Sequence, residues 1–334
     1  MKICVDLQFE VPIWRLFYEP DEVNKIPYSF IFKNKEYANG ITIIQMAHHV
    51  DEYTIKNNSD YLNNLKCPNP ILCASNETTL NLFRKYRPQY ISILSNHNAF
   101  INENKYTITN ESKKYDLIIN SSFTKLKRLH LSELISNKIY IGYKCGPEEE
   151  FNECLPKDGY IPNFHNRQRN LKNWNFLNNN EVISYINQSK VGGIFSPAEG
   201  ACFSSSEYIL CGVPVVSTYC IGGREFWYDE ENCILCEPKK DNIKNAIENI
   251  INNNDSNKFN PERIRNNHIK KMNIQRKILT DTVYNSFTKI TYNLPKYDVL
   301  YDSLKFYHSI NRMGDPLCDQ VQLDKELIAL SIIG

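Results

Sequence analysis

The sequence predicts an α/β chain built on doubly wound parallel sheets. Three observations carry that expectation. Short apolar runs of β type alternate with stretches of helical spacing, as where NPILCAS precedes TLNLFRKYRP, the order that crossover helices between parallel strands produce. The stretch from Lys190 to Pro238 reads as strand, tight turn, helix, strand and glycine loop, and the right-handed crossover rule makes its two strands parallel. The chain has 334 residues, enough for two domains of about 150 residues each.

Taken in order, KICVDL is a first strand, leading to a loop with Glu10, Pro12 and Trp14. SFIF, GITIIQMA, NPILCAS, YISILS and YDLIINSS follow as short β runs. YDLIINSSFTKLKRLHLSELI reads as strand, Ser-rich helix start and amphipathic helix. A second set of elements begins at NKIYIGYKCG, which places a boundary near residue 137. Residues 147–180 are polar and turn-rich. After Pro238, DNIKNAIENIINNN is a helix, and the stretch from PERIR to ITYNL a longer one. Residues 291–334 form a separate C-terminal segment.

Hydrophobic content of 42% with 12% aromatic residues supports packed cores rather than disorder. A net charge of +1 argues against nucleic acid as partner, because phosphate neutralisation needs a strongly basic surface. Asp6 and Glu10 interrupt the first apolar run, so no secretory signal or membrane span is expected, which leaves peripheral membrane contact open. Eleven scattered cysteines fit reduced thiols and a cytoplasmic setting. Cys233 and Cys236 form the one close pair, and with no second pair to complete a tetrahedral site they read as strand packing rather than zinc ligands.

The chemistry concentrates between Lys190 and Pro238. VGGIF is a buried strand ended by Ser196-Pro197, and AEG is the turn. Ser204 to Ser206 start a helix that Gly212 and Pro214 close, and VPVVST is the next strand. Glu199 lies in the turn and Glu207 eight positions on, along the helix. The helix N-terminus between them favours an anion, most often phosphate. Carboxylates beside a phosphate repel it, so these two serve hydroxyls: each can accept both hydrogens of a vicinal diol. Diol, phosphate and diol in a row describe a nucleoside diphosphate sugar.

EGACFSSSEYILCGVPVVST resembles the E-x7-E signature of the family-4 retaining glycosyltransferases, and IGGREFWYDEENCILCEP resembles the segment that follows it. One position departs: Cys202 stands where the second loop glycine is usual, and its Cβ limits how closely a phosphate approaches the backbone. The resemblance implies the GT-B arrangement, two Rossmann-like domains facing a cleft, here with an abbreviated second domain. Residues 1–137 would then be the acceptor side and 138–290 the nucleotide-sugar domain, with 291–334 returning to the first. It also implies sugar transfer to a hydroxyl acceptor with retention of configuration, without metal or cofactor, on a glycan, lipid or other acceptor. By the same resemblance Glu199 meets the donor sugar, Glu207 the ribose, and Ser196, Gly200, Ala201 and Cys202 the donor along the turn. Lys144 and Arg224 would be the cations for the diphosphate, while Lys190 buries its stem and exposes its head.

The first domain offers SNHNAFINENKY after a strand, with Asn96, His97, Asn98 and Glu103 close together. Loops at strand ends carry function, so these side chains are candidates for acceptor binding, with His97 beside the chemistry. A turn stabilised by Asn side chains is the plainer alternative. His49, in the His48-His49 pair, and Glu10 are further acceptor-side candidates. Rival readings are a nucleotide-sugar binder without turnover, a nucleotide-sugar epimerase on the same fold, and a structural interaction protein.

Overall fold

A computed structural model describes residues 2–6, 13–18, 40–46, 49–57, 69–143, 145, 147–164, 174–252 and 258–305. The chain divides into two compact units, residues 1–102 with 272–334, and residues 103–271. Among the described residues, no helix is long and apolar enough to cross a membrane.

The first unit holds a five-stranded sheet in sequential order: β1 (Lys2–Asp6), β2 (Ile13–Tyr18), β3 (Ile41–Met46), β4 (Pro70–Ala74) and β5 (Ile91–Leu94). The pairs from β2 to β5 are parallel, and β1 runs antiparallel to β2. Trp14, expected in a loop, therefore lies in a strand, hydrogen-bonded between β1 and β3. Every residue of β3 is buried, as expected of a parallel strand covered on both faces. Helix α1 spans Glu52–Asn57 and α2 Glu77–Tyr86. Asn76 caps α2, its side chain accepting from the Thr79 N–H at 2.8 Å, and Thr79, Leu80 and Phe83 form its buried face. The SFIF run lies outside the described residues.

The second unit is a five-stranded, wholly parallel sheet of β6 (Tyr115–Ser122), β7 (Lys138–Tyr143), β8 (Ser189–Ile194), β10 (Val215–Thr218) and β12 (Cys233–Cys236), ordered β12-β10-β8-β6-β7. A small parallel pair, β9 (Ala198–Glu199) with β11 (Ile221–Gly222), sits apart from it. Its helices are α3 (Glu148–Cys154), α4 (Asn179–Asn187), α5 (Phe203–Leu210), α6 (Lys240–Asn252) and the start of α7 (Pro261–Phe287). The remaining helix, α8 (Tyr297–Lys305), groups with the first unit. Adjacent glycines on β8 show why helices cover both faces. A Cβ on Gly192 would meet the Tyr208 ring of α5 at 2.2 Å, and one on Gly193 would meet Leu117 at 2.9 Å. Leu117 belongs to the core that also takes Ile243, Ile247 and Ile250 of α6, and successive strand residues face opposite ways.

Two expectations are corrected here. The boundary near residue 137 would cut between β6 and β7, which pair from Leu117–Lys138 to Ser122–Tyr143. The break falls instead between residues 102 and 103, and the chain rejoins the first unit at residue 272, within α7 rather than at 291. The amphipathic helix expected after β6 is two single 3-10 turns, Lys125–Lys127 and Leu129–Ser132. Arg128 between them is left-handed, at φ 48°, and its guanidinium reaches the Phe195 carbonyl and, at 2.8 Å, the Thr218 hydroxyl. Those tertiary bonds outweigh the helical spacing. Between β7 and β8 the sheet gains no strand among the described residues, only α3, α4 and two isolated bridges.

Candidate functional site

From β6 the chain crosses to β7 on one side and, through β8, to β10 and β12 on the other. Such a reversal opens a crevice at the carboxyl ends of the two central strands. The residues after β6 and β8 meet there.

The turn after β8 is held by backbone. Gly223 N–H donates to the Glu199 carbonyl at 3.2 Å and to the Gly200 carbonyl at 2.6 Å, and Ile221 N–H to Pro197 at 2.8 Å. Gly222 sits at φ 135°, and a Cβ there would lie 1.6 Å from the Glu199 carbonyl oxygen. The double glycine thus clamps the Glu199 turn. Cys202, at φ 60° and ψ 88°, is the N-cap of α5, a left-handed position without a side-chain cap. Glycine suits that conformation best, which explains why the loop pattern has one. Desolvation of the Cys202 thiol, with Glu199 adding to it, pushes its pKa up to about 12, so it is a neutral thiol and no nucleophile.

Glu199 Oε1 accepts from Ser196 Oγ at 2.7 Å and pairs with the Lys127 ammonium. The two side chains are only 14% and 18% exposed. Burial, the largest single influence, pulls the Lys127 pKa down. The charge and hydrogen bond of Glu199, together with lesser neighbouring contributions, outweigh it, and the net shift is upward. Arg224 lies fully buried behind the turn. It donates to Ser196 Oγ at 2.9 Å, to the Ser196 carbonyl at 3.2 Å and to the Thr218 carbonyl at 2.8 Å. Arg224, Ser196, Glu199 and Lys127 therefore form one chain of charge-assisted bonds.

Glu207, on the second turn of α5, is 1% exposed. Its Oε1 accepts from the Tyr106 hydroxyl at 3.0 Å and its Oε2 from Asn120 Nδ2 at 3.1 Å. Arg265 fixes Tyr106 from behind, donating to its carbonyl and, at 2.6 Å, to that of Glu103. Asn120, near the end of β6, also donates its N–H to the Tyr208 hydroxyl at 2.6 Å, and its carbonyl accepts from Ser204 Oγ at 2.6 Å. Glu199 and Glu207 are both tied to β6 and the residues following it, one through Lys127 and the other through Asn120.

Lys127, Arg128, Asn120 and Tyr106 were not singled out from sequence. A basic doublet one turn past a strand end was the available signal for the first two. Lys144 and Glu10 lie outside the described residues. Lys190 pairs with Asp116 at 2.7 Å, its side chain 40% exposed. Cys233 and Cys236 are the two ends of β12.

In the first unit, the residues after β5 form a buried 3-10 turn, His97–Phe100. Asn96 Oδ1 accepts from the Asn98 N–H at 3.0 Å, and Asn96 Nδ2 donates to the Ser75 carbonyl at 3.1 Å. His97 Nδ1 lies 3.0 Å from the Met46 carbonyl. Arg276 of α7 holds the turn through the Ala99 and Ile101 carbonyls at 2.6 and 3.0 Å. Asn96 and Asn98 are wholly buried, which is the geometry of a side-chain-stabilised turn. His49 is half-buried after β3.

The family described as glycosyl transferases group 1 matches residues 164–271. No curated protein matches the sequence. Among solved structures, Anabaena Alr3699/HepE in complex with UDP superposes with a TM-score of 0.56 at 12% identity, over 73% of this chain and 72% of that one. Sucrose-phosphate synthase from Thermosynechococcus elongatus gives 0.54 at 13% identity over 74% and 69%. TarM, from S. aureus, gives 0.54 at 16% identity over 82% and 54%. At such identities the likeness is one of fold. Residues 164–271 match the group 1 glycosyl transferases, within a chain whose fold is like that of the GT-B structures, two Rossmann-like units.

Proposed function

We propose that the protein transfers a sugar from a nucleoside diphosphate sugar to a hydroxyl acceptor with retention of configuration, using no metal or other cofactor. The observation that carries this reading is the Lys127–Glu199 pair at the switch point, with Glu207 anchored one helical turn further on. Lys127 is the cation that neutralises the departing diphosphate beside the start of α5. Charge developing on a leaving group is stabilised best by donors already in place, worth about 10²–10³ in rate. Arg224, occupied by Ser196 and Thr218, positions the turn rather than the ligand. Glu199 takes hydroxyls of the donor sugar, and Glu207 those of the ribose.

The bond from the anomeric carbon to the diphosphate oxygen breaks, and the acceptor oxygen bonds to that carbon on the same face. The acceptor proton passes to the departing phosphate oxygen. No enzyme nucleophile takes part, in keeping with a protonated Cys202. A glycan is the acceptor class favoured here, and UDP the nucleotide to try first, since Anabaena Alr3699/HepE is described in complex with UDP. Nucleoside diphosphate release from UDP-glucose with a glycan panel tests the reading. Turnover in wild type and its loss in Glu199→Ala are expected. Donor binding without turnover by any acceptor would favour a binding protein, and a free hexose epimer without acceptor an epimerase.

A further inference from the structure

At the opposite end of the second unit's sheet lies a cavity of about 620 Å³. Tyr115, which opens β6, Tyr160 and Tyr185 line it. The Tyr115 and Tyr160 rings stack at 6.1 Å and 9°, and Tyr185 meets Tyr160 edge-on at 6.3 Å. β6 spans eight residues, so at about 3.3 Å per residue this end is roughly 25 Å from the Glu199 turn.

Tyr160 is 48% exposed yet fixed in place. Its N–H donates to the Lys138 carbonyl at 3.0 Å, and its carbonyl accepts from Tyr140 N–H at 2.9 Å. A half-exposed ring on a hydrogen-bonded backbone, packed against the Tyr115 and Tyr185 rings, is a preorganised contact surface that loses little entropy on binding. The rim is polar and nearly uncharged: Asn180 and the Asn178 amide nitrogen face it, and one cation, Lys114, is balanced by one anion, Glu181. The Gln188 amide nitrogen is taken by Glu111 and Ser184, and Asn178 Oδ1 by the Glu181 N–H. Burial raises the Tyr115 and Tyr185 phenols, with a hydrogen bond to Tyr160 adding to the second, so both stay neutral donors at working pH.

We propose that this tyrosine-lined cavity is a second carbohydrate-binding site, which takes a stretch of a neutral oligosaccharide remote from the transfer site. A sugar ring has an apolar C–H face and a hydroxyl edge. Tyrosine offers the matching pair, a ring face and a phenol, and the amides take the remaining hydroxyls. A phosphorylated ligand would find a single cation, Lys114, offset by Glu181, and an apolar peptide would strand the amides. The site does not depend on the transfer reading.

The test titrates the full chain with maltohexaose and with cellohexaose, read by NMR or calorimetry, in wild type and Tyr160→Ala. Saturable binding to wild type below about 10 mM is expected. It should weaken roughly 10-fold in the variant, on the scale of a lost stacking contact, and hold between about 50 and 500 mM salt because no charge is engaged. UDP-induced thermal stabilisation of Tyr160→Ala should match wild type, which shows the fold intact and separates this site from the donor site. No binding of either hexaose, or binding indifferent to Tyr160→Ala, overturns the proposal. Self-association that Tyr160→Ala abolishes, without hexaose binding, would overturn it too and give the groove to a second copy of the chain.

Discussion

The Lys127 ammonium and the Glu199 carboxylate, 72 residues apart in sequence, form an ion pair beyond the carboxyl ends of β6 and β8. Each is largely shielded from water, and Ser196 adds a second donor to the same carboxylate oxygen. In the proposed reaction this pair would supply both a cation for the departing diphosphate and an acceptor for sugar hydroxyls.

Lys127→Ala should lower kcat/KM for UDP-glucose by about 10²-fold, the scale for removing one preorganised charge stabiliser. Lys127→Arg should recover part of the loss. The pH dependence has a defined sign. The Lys127 pKa is raised in the folded chain above its ordinary 10.5, so its contribution to stability is fully present below that value and fades as pH rises through the folded one. Urea midpoints of wild type and Lys127→Met should differ by a constant amount from neutral pH to about 10, then converge. Convergence beginning near pH 8 would contradict the pair.

Tyr106→Phe removes the hydroxyl that donates to Glu207 at 3.0 Å. A buried acceptor that loses a donor costs about 1–3 kcal/mol, and urea unfolding should show it. Glu207→Gln should weaken UDP binding more than it lowers kcat, because ribose contacts are made equally in ground and transition states. An equal fall in kcat and kcat/KM would place Glu207 beside the transferred sugar instead.

What was legible in the sequence was local. Strand, turn, helix and second strand from Lys190 to Thr218 are contiguous, so spacing alone placed Glu199 and Glu207 on the turn and on the helix behind it. Lys127 was hidden because its partner lies on another element, and because TKLKRLH carries helical spacing that Arg128 breaks through tertiary bonds to Phe195 and Thr218. The polar cluster Asn96-His97-Asn98 invited a functional reading. Its bonds run to Ser75, Met46 and Gln275, distant in sequence and invisible to pattern. The domain boundary failed for the same reason: YDLIINSS reads as one more β run after the first five, and only pairing with β7 and β8 assigns it to the second sheet.

Cys202 gives a stability prediction of opposite sign to most substitutions. A non-glycine residue in left-handed backbone carries about 1–2 kcal/mol of strain, and glycine removes it while giving back part as unfolded-chain entropy. Cys202→Gly should therefore raise the melting temperature slightly, and Cys202→Val should lower it. With a thiol pKa of about 12, Cys202 should also react with iodoacetamide at pH 8 far more slowly than the exposed Cys145. Peptide mapping after a short pulse measures the ratio.

Gly222→Ala should be the most damaging single change in the glycine loop. The added methyl would lie 1.6 Å from the Glu199 carbonyl oxygen, and φ 135° is strained for any L side chain. Backbone has to move, and the part that moves is the Glu199 turn, since Gly223 N–H is bonded to both Glu199 and Gly200 carbonyls. We expect a loss of at least about 2 kcal/mol in urea unfolding, together with loss of UDP-induced thermal stabilisation. Ile221→Ala is the control: its side chain is 64% exposed in the same short strand, so stability should stay within about 0.5 kcal/mol. If Gly222→Ala bound UDP as wild type does, the clamp on Glu199 would have no part in holding the donor.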